Sequence, residues 1–331
     1  MNCNSSISLV RTPFQLFNCI EAVRNFNKNG ENILICIYKK ERDKDLYNRV
    51  LKEFHWSKVY FFKLNFFNKW FYSFRLNNII KKYKNTKYCF FGLITSYNIH
   101  AINIINAQNN ILIDDGNEIF LIVNNLSRQT YVKKFNTNFF NKLLKRNFDL
   151  KFLKRLKIFT FFDVDQNLIN NEILKNRYIQ FKRSIENLPT SNEIFFIGSN
   201  LIDTYISQEY FEKILKSTLD YYGNTNIVYI PHRYENIGYL KGLSQKYNFR
   251  IKKFSTILEL GILEYGEKPN KLISIRSTAL ETLNFLYDIK SIQVLKLNLD
   301  YLLKENQKKE FLDLYENYKM KKIKVIEVDS D

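Results

Sequence analysis

The sequence contains two adjacent carboxylates directly after an apolar run, at Asp114 and Asp115, and Gly116 and Asn117 follow them. A carboxylate at the carboxyl end of a buried strand is held rigidly, so it can act as the general base that takes a proton from a bound hydroxyl. An Asp-Gly pair is also ordinary turn chemistry. The motif alone therefore leaves a catalytic base and a simple turn as alternatives.

A histidine and an arginine follow a second apolar run, within residues 229–235. His232 can donate a proton or a hydrogen bond to an anionic leaving group, and Arg233 adds positive charge beside it. The other two histidines of the chain, His55 and His100, are interpreted as surface or packing residues. His232 is therefore the predicted partner of a leaving group.

Two hydroxyl residues, Ser277 and Thr278, stand where a third apolar run turns into a helical pattern. The first N–H groups of a helix and its positive dipole end attract phosphate, so these residues predict a phosphate site. Thr278 and Glu281 also have the spacing of a capping box, which forms without a ligand. Both interpretations hold together if Thr278 caps the helix and Ser277 faces the ligand.

Short apolar runs alternate with amphipathic helical stretches in both halves of the chain, which predicts parallel sheets covered by helices on both faces. The expected fold class is α/β, with two doubly wound, Rossmann-like domains at 1–185 and 186–331. Ligands bind outside the carboxyl ends of such strands, so we expect the site in a cleft between the domains. The predicted strands are 6–10, 32–38, 59–64, 88–94, 110–115, 193–198, 226–231, 249–254, 271–275 and 291–297, and the predicted helices are 13–26, 42–54, 97–107, 208–222, 238–247, one from 256, and 278–287.

The composition is that of a folded chain with a strongly basic balance. With 331 residues and 45% hydrophobic residues, the chain is too long for a peptide hormone or a disulfide knot and too apolar for a disordered protein. Lys and Arg number 51 against 33 Asp and Glu, a net charge of +18 that favours nucleic acid, anionic lipid or a phosphorylated small molecule as partner. The abundance of Lys, Asn and Ile also fits an AT-rich coding sequence, so part of this charge carries no functional meaning.

The cysteines and the N-terminal sequence indicate the cellular compartment in which the protein is expected. Cys3, Cys19, Cys36 and Cys89 lack paired spacing, and most of them lie in apolar runs, which predicts buried free thiols in a reducing environment. No signal peptide and no membrane span are visible. We therefore expect a cytoplasmic protein whose membrane contact is limited to peripheral binding at the cytoplasmic face of the inner membrane.

A basic amphipathic segment at 131–157 lies in the second part of the first predicted domain. It contains nine Lys and Arg residues and a single acidic residue, Asp149, and Phe and Leu are interleaved at helical spacing. This pattern suits an anionic membrane surface. The alternatives are a solvated cationic helix that packs its Phe face on the core, and a contact with a second subunit in a homodimer.

No sequence pattern for a bound metal or cofactor is assigned. We find no GxxxxGK[ST] loop, no GxGxxG after a strand, no HExxH, no Cys–His spacing typical of zinc, and no Asp-x-Asp pair of the kind that holds Mg²⁺ on a nucleotide diphosphate. A phosphate site without a metal-binding carboxylate pair fits a donor with a single phosphate. A CMP-activated sugar is such a donor, so we expect no metal.

The order of the three motifs over two Rossmann-like halves resembles the bacterial sialyltransferases of the GT-B type, most closely the lipooligosaccharide sialyltransferase family (glycosyltransferase family 52). The similarity begins at SLVRTPFQL (8–16), which is similar to a TPxQL opening, and extends to about residue 297. It implies a GT-B fold and an inverting, metal-independent transfer of Neu5Ac from CMP-Neu5Ac. The implied acceptor is a terminal galactose of a surface glycan such as lipooligosaccharide, with an α2,3 linkage expected.

The resemblance also implies roles for individual residues. Asp114 is the expected base with Asp115 beside it, and Asp203 stays an alternative base. His232 is expected to act on the CMP phosphate. Further expected donor-side residues are Ser277 and Thr278 on the phosphate, Glu259 on the ribose, and Arg233, Gly198, Ser199 and Asn200; the expected acceptor-side residues are Thr12, Gln15, Gly116 and Asn117.

One departure and three rival functions stay open. The family has proline after its histidine, whereas here Pro231 precedes His232, which changes the loop. A transferase of the same type could use another CMP-activated nonulosonate or Kdo. A protein of a different class would bind nucleic acid through 131–157, although no recognised module supports it and no nucleic-acid partner is predicted. An inactive scaffold would bind the CMP-sugar without turning it over.

Overall fold

The computed structural model describes residues 4–64, 69–131, 149–223 and 226–328. The chain divides into two compact units, Met1–Gln180 and Phe181–Asp331. Strands and helices alternate in each unit, and the strands of each unit form one parallel sheet. The predicted α/β class with two doubly wound sheets is confirmed.

The first unit is built on a seven-stranded sheet. Its strands are β1 (Ser5–Val10), β2 (Glu31–Tyr38), β3 (Lys58–Lys63), β4 (Tyr88–Phe91), β5 (Asn109–Ile113), β6 (Lys157–Thr160) and β7 (Ile173–Lys175). They pair in the order β3-β2-β1-β4-β5-β6-β7. Every residue of β1 is buried, as expected for a central strand that is covered on both faces.

The helices of the first unit follow its strands along the chain. They are α1 (Pro13–Phe26), α2 (Glu41–Val50), α3 (Lys69–Ile80), α4 (Ser96–Ile105) and α5 (Glu118–Ser127). Helix α1 has the bounds that the sequence predicts because its start is strongly encoded. The Thr12 hydroxyl accepts a hydrogen bond from the Gln15 N–H, and Pro13 fits the first turn, where no N–H partner is needed.

The second unit repeats the arrangement with six strands. These are β8 (Ile194–Ile197), β9 (Ile227–Ile230), β10 (Arg250–Ile251), β11 (Lys271–Ser274), β12 (Ser291–Lys296) and β13 (Lys324–Glu327), in the order β10-β9-β8-β11-β12-β13. Helix α6 (Ile179–Ser184) crosses the boundary between the units in the sequence. The remaining helices are α7 (Gln208–Tyr222), α8 (Ile237–Tyr247), α9 (Leu258–Tyr265), α10 (Ala279–Tyr287) and α11 (Gln307–Met320).

Both sheets reverse their strand order at an equivalent place. The order grows outward from β1 to β3 and then resumes on the other side of β1 with β4, and β8 and β11 are related in the same way. Such a reversal leaves a crevice at the carboxyl ends of the two strands, where ligands bind in this class of fold. All three predicted motifs lie at carboxyl ends of strands near a reversal: one follows β11, which is at the reversal itself, and the other two follow β5 and β9, which are one strand away from it.

Several predicted elements differ from the observed ones. The predicted strand at 249–254 is reduced to β10, an edge strand, and the predicted helix at 42–54 ends at Val50 and continues as a 3₁₀ turn. Most of the basic segment 131–157 lies outside the described residues. Its last part is not an amphipathic α-helix, because Lys151–Arg155 forms a 3₁₀ helix and Lys157 begins β6.

Cys19, Cys36 and Cys89 are buried free thiols, as predicted, and Cys3 lies outside the described residues. Within the described ranges, every helix is too short or too polar to span a bilayer.

Candidate functional site

The acidic motif of the first unit meets the loop after β1. The Thr12 hydroxyl donates to Asp115 Oδ1 (3.1 Å), while the Gln15 side chain accepts the N–H of Arg11 (2.8 Å). Gly92, which follows β4, packs so closely that a Cβ there would lie 2.3 Å from the Gln15 side chain. Residues that follow β1, β4 and β5 therefore meet at the strand-order reversal. We call Thr12, Gln15, Asp114 and Asp115 the acidic edge.

The two aspartates point towards different neighbours. Asp114 Oδ2 accepts the N–H of Phe161, which follows β6 (3.0 Å), whereas Asp115 bonds to Thr12, which follows β1. This divergence is expected because successive side chains of an extended chain point to opposite sides. Asp114 is 1% exposed and Asp115 is half-buried. Asp115 is thus the carboxylate at the strand-order reversal.

Burial raises the pKa of both carboxyl groups. It raises the pKa of Asp114 to about 7, although the Thr160 hydroxyl and the Phe161 N–H act in the opposite direction. Burial also raises the pKa of Asp115, and the side chains of Gln15 and Thr12 partly offset this effect. Among the described residues, Asp114 Oδ1 has no hydrogen-bond partner. A carboxyl group in such surroundings accepts a proton more readily than one in water.

We expect the free energy of unfolding to fall as the pH rises from about 4 to about 7, partly because of Asp114. In this window the unfolded chain has lost the Asp114 proton, while the folded protein retains it until its pKa of about 7. The contribution is complete below the unfolded pKa and is lost as pH rises through the folded pKa. For Asp114 it is up to about 1.4 kcal/mol per pH unit.

Urea unfolding of wild type and Asp114→Asn at a series of pH values checks this. The variant should show the shallower slope between pH 4 and 7, since the other buried carboxyl groups are common to both proteins. Identical slopes would contradict the raised pKa of Asp114.

A buried polar pair holds the backbone at Asp114. The Asn18 side-chain amide donates from Nδ2 to the backbone carbonyl of Asp114 (3.0 Å), and the Tyr178 hydroxyl donates to Asn18 Oδ1. Both side chains are fully buried, and Tyr178 has a left-handed backbone (φ 49°), which is unusual for a bulky residue. The sequence pattern indicates neither residue. They fix the segment from which both aspartates project.

Gly116 and Asn117 turn the chain from the acidic edge into α5. Gly116 has φ 64°, which favours glycine, and this supports the turn interpretation of the Asp-Gly pair alongside the catalytic one. Asn117 occupies the N-cap position of α5 without a capping hydrogen bond, and its buried Oδ1 has no partner within the described parts of the chain. Their predicted acceptor-side roles stay predictions.

In the second unit, the loop that follows β9 is closed by a carboxylate. The His232 N–H donates to Glu235 Oε2 (2.6 Å), and the Glu235 N–H donates back to the His232 carbonyl (3.0 Å). The Tyr229 hydroxyl donates to the other oxygen, Glu235 Oε1 (2.6 Å), and the Ser199 N–H also bonds to this carboxylate. Burial raises the pKa of Glu235 to about 7. We call residues 231–235 the histidine loop.

The ring of His232 is oriented within this loop. Its Nδ1 accepts the N–H of Tyr234 (3.4 Å), and the two rings lie 5.4 Å apart. A neutral imidazole that accepts at Nδ1 carries its proton on Nε2. The arrangement therefore suits a ring that donates from Nε2. Arg233 is exposed beside it, with its guanidinium 5.0 Å from the Tyr234 ring.

Gly198, at the end of β8, makes room for the carboxylate of the histidine loop. A Cβ there would lie 2.2 Å from Glu235 Oε2 and 3.0 Å from the backbone nitrogen of His232. We therefore expect Gly198→Ala to lower the free energy of unfolding by about 1–3 kcal/mol through overpacking. Gly242→Ala in α8 is the matched control, since a Cβ at Gly242 meets nothing within 4 Å. Denaturant unfolding checks the pair, and equal stabilities would contradict the close approach.

The predicted phosphate residues lie at the ends of β8 and β11. The Ser199 hydroxyl donates to the Arg276 carbonyl, which joins these two loops. Ser277 Oγ accepts the N–H of Ala279 (3.3 Å), so this serine bonds to the first turn of α10. The two loops flank the strand-order reversal of the second sheet, where a phosphate site is expected.

The predicted capping box at Thr278 is wrong. Thr278 is exposed and has a helical backbone, and its side chain makes no capping hydrogen bond. Ser277 bonds to the first turn instead, and Glu281 forms an ion pair with Lys321 (2.5 Å). The first turn of α10 therefore lacks the closing glutamate that a capping box requires.

Three other predicted residues lie apart from these contacts. Glu259 is buried in the first turn of α9, and burial raises its pKa to about 7. Its backbone carbonyl accepts the Tyr287 hydroxyl, which ties α9 to α10. Asn200 and Asp203 are exposed in the loop after β8, where Asp203 has a left-handed backbone (φ 60°). Their predicted roles stay predictions.

Asp163 and Asp165, just after β6, have Asp-x-Asp spacing. Asp163 pairs with Lys175, and its side chain is fully exposed. Asp165 caps a 3₁₀ turn by accepting the N–H of Asn167 (2.9 Å). Each carboxylate thus has a local structural partner, although the spacing itself is that of a metal-binding pair.

The structure therefore brings the predicted residues together in two groups. Thr12, Gln15 and Asp115 meet in the first unit, and Gly198, Ser199 and His232 meet in the second through Glu235, which the sequence pattern leaves unassigned. The three-residue spacing of His232 and Glu235 is the sequence feature that could have indicated this hydrogen-bonded turn. That the two groups act on one substrate stays a prediction.

The sequence matches no protein-family model, and no curated protein matches it. Solved structures are similar in fold at low identity. MnaA of S. aureus with UDP is 13% identical over 89% of this chain and 80% of that one, with a TM-score of 0.53. UDP-GlcNAc 2-epimerase from Neisseria meningitidis bound to UDP-GlcNAc is 9% identical over 98% and 88%, with a TM-score of 0.51. UGT2 of Phytolacca americana with UDP-2-fluoro-glucose and pterostilbene is 10% identical over 99% and 85%, with a TM-score of 0.53. The expected GT-B fold class is confirmed.

Proposed function

We propose that the protein is a GT-B glycosyltransferase for a nucleotide-activated sugar, and that its donor is CMP-Neu5Ac. The carrying observation is that each sheet places polar side chains at its strand-order reversal: the Asp115 carboxylate in the first unit, and hydroxyl groups in the second, where the histidine loop follows the strand next to β8. Similar folds bind UDP, UDP-GlcNAc and UDP-2-fluoro-glucose, so a nucleotide-sugar fits the fold.

The second unit supplies the donor side in this proposal. The first turn of α10, where the Thr278 side chain makes no capping hydrogen bond and Ser277 accepts the Ala279 N–H, offers its further N–H groups and the two hydroxyl groups to a phosphate. His232 donates from Nε2 to the leaving phosphate, and Arg233 adds positive charge. Glu259 binds the ribose, and Gly198, Ser199 and Asn200 line the crevice. A single phosphate held in this way needs no metal, so we propose a metal-independent reaction.

The first unit supplies the base, and we infer that Asp115 is that base rather than Asp114. Asp115 is half-buried and faces Thr12, whereas Asp114 is almost fully buried and faces Phe161. A base must reach the hydroxyl of the acceptor, so accessibility favours Asp115. Asp114 then serves as a buried partner of the neighbouring strand. Thr12, Gly116 and Asn117 line the acceptor side, and the fully buried Gln15 supports them by accepting the Arg11 N–H.

The proposed reaction is a single displacement with inversion. The acceptor oxygen attacks C2 of Neu5Ac as the bond from C2 to the phosphate oxygen breaks. The hydroxyl proton passes to Asp115, and the bond electrons leave with CMP, whose phosphate charge is stabilised by His232 and the α10 N-terminus. The acceptor is a terminal galactose of a surface glycan, and the protein works in the cytoplasm, with peripheral contact at an anionic membrane.

A coupled assay of CMP release from CMP-Neu5Ac, with lactose as acceptor, tests this function. Release that depends on lactose and persists in EDTA is the expected result. CMP-Kdo and UDP-GlcNAc serve as comparison donors, since turnover of either in place of CMP-Neu5Ac would transfer the assignment to that donor. Loss of activity in EDTA would contradict the metal-free step, and binding of CMP-Neu5Ac without turnover would indicate an inactive scaffold.

A further inference from the structure

One carboxylate that the proposed chemistry does not use sits at the centre of the second unit's group. Glu235 receives the Tyr229 hydroxyl on one oxygen and the His232 N–H on the other, both at 2.6 Å. The Ser199 N–H bonds to the same carboxylate. Three donors from three separate points of the edge thus converge on one side chain, after β8, within β9 and within the histidine loop.

Glu235 and His232 are joined by two hydrogen bonds, one donated by each residue. The carboxylate accepts the His232 N–H, and the Glu235 N–H donates to the His232 carbonyl (3.0 Å). Both backbone polar groups of His232 are therefore held by the same residue. With Nδ1 accepting the Tyr234 N–H, the position and the ring orientation of the histidine are fixed from one short turn.

The end of β8 is shaped around this carboxylate. Any side chain at Gly198 would begin 2.2 Å from Glu235 Oε2. Gly198 itself keeps a normal strand hydrogen bond, from its N–H to the Ile230 carbonyl (2.9 Å). Its lack of a side chain therefore leaves room for the Glu235 carboxylate. The site is built for this glutamate, because a shorter or absent side chain would leave the three donors without their shared acceptor.

We propose that Glu235 is a positioning residue that holds His232 where its ring acts on the departing phosphate of the donor. The catalytic part of this proposal rests on the proposed function. That Glu235 fixes the position of His232 is argued from the hydrogen bonds alone. The residue contacts the end of β8 as well as the loop that follows β9, so its loss would let the histidine loop move relative to the predicted phosphate residues after β8 and β11. A displacement of about 1 Å can cost about 100-fold in rate.

The chain offers a matched control at the opposite end of β8. Glu193 precedes this strand and also accepts a tyrosine hydroxyl, that of Tyr265 (2.6 Å), together with the guanidinium of Arg250 (2.6 Å). Glu193→Ala therefore removes a comparable acceptor from the same strand, at the end away from the histidine loop. Its effect reports the general cost of losing such a contact.

The test compares three variants, Glu235→Ala, Glu235→Gln and Glu193→Ala, by two measurements, and a fourth, His232→Ala, assigns the signals. Because the chain has only His55, His100 and His232, ¹³C-histidine labelling gives three sets of ring signals, and His232→Ala identifies that of His232. We expect Glu235→Ala to move the His232 signals and to lower kcat by about 10- to 100-fold. Glu235→Gln should restore most of both, since an amide can accept the His232 N–H and donate to the Tyr229 hydroxyl. Glu193→Ala should leave both unchanged.

The outcomes separate the two proposals. If wild type releases no CMP from the donor, the proposed function fails, but the histidine signals still test the hold on His232. If wild type is active and Glu235→Ala keeps wild-type signals and kcat, the positioning role is overturned. It is also overturned if Glu193→Ala moves the His232 signals as far as Glu235→Ala does.

Discussion

Replacing Asp115 by asparagine should lower kcat by at least about 100-fold, the lower end of what a general base contributes. The amide keeps the size of the side chain and can still accept the Thr12 hydroxyl, so the acidic edge should retain its shape. What is lost is the group that takes the proton as the new bond forms. The measurement is steady-state CMP release from CMP-Neu5Ac with lactose.

The neighbouring aspartate is the control for this prediction. Asp114→Asn keeps an oxygen for the Phe161 N–H, so we expect a much smaller loss of kcat. Asp203→Asn, in the exposed loop after β8, should be close to wild type. A folded Asp114→Asn protein with the larger loss would return the role of base to Asp114, and a large loss in Asp203→Asn would assign it to the second unit.

Replacing His232 by alanine should also lower kcat by at least about 100-fold, while CMP binding weakens far less. The imidazole meets charge that grows only as the phosphate leaves, so its contribution belongs to the transition state. Since Glu235 holds the backbone N–H of His232, the loop should keep its turn without the ring. Single-turnover release of CMP, together with CMP binding by calorimetry, separates these effects.

His55→Ala is the control for this variant, because His55 is exposed and lies in the first unit. It should have wild-type kcat and CMP affinity. If His232→Ala weakens CMP binding as much as it lowers kcat/KM, with kcat unchanged, the ring binds the nucleotide equally in the ground and transition states. That result would remove His232 from the chemical step.

The fold was accessible from the sequence where local signals were strong. Helix α7 has the predicted bounds because Ser207 caps it and Gly223 follows it. Strands β6, β7 and β13 were not predicted, since runs of three or four residues are too short to show a period. The strand predicted at 249–254 was too long because an apolar pattern does not reveal how many residues find a partner at a sheet edge.

The sequence predicts which loops form the site but not which side chains contact each other there. Placing motifs at strand ends needs only the alternation of strands and helices. Which way Asp114 and Asp115 point depends on β5 lying between β4 and β6, an order that the hydrophobic pattern does not encode. Two partners of Glu235, Tyr229 and His232, are close to it in sequence, but its approach to the end of β8 depends on β8 and β9 being neighbours, which the hydrophobic pattern does not encode.

The acidic edge is assembled from distant parts of the chain, and this has a consequence during synthesis on the ribosome. Thr12 and Asp115 are 103 positions apart, and the amide that holds Asp114 comes 47 positions later. A nascent chain therefore carries the whole Asp-Asp-Gly sequence for several seconds, at about 5–20 residues per second, before Phe161 has been made. Fragments that stop short of β6 contain every residue of that motif without the Phe161 N–H that Asp114 accepts, so in them the motif lacks this contact.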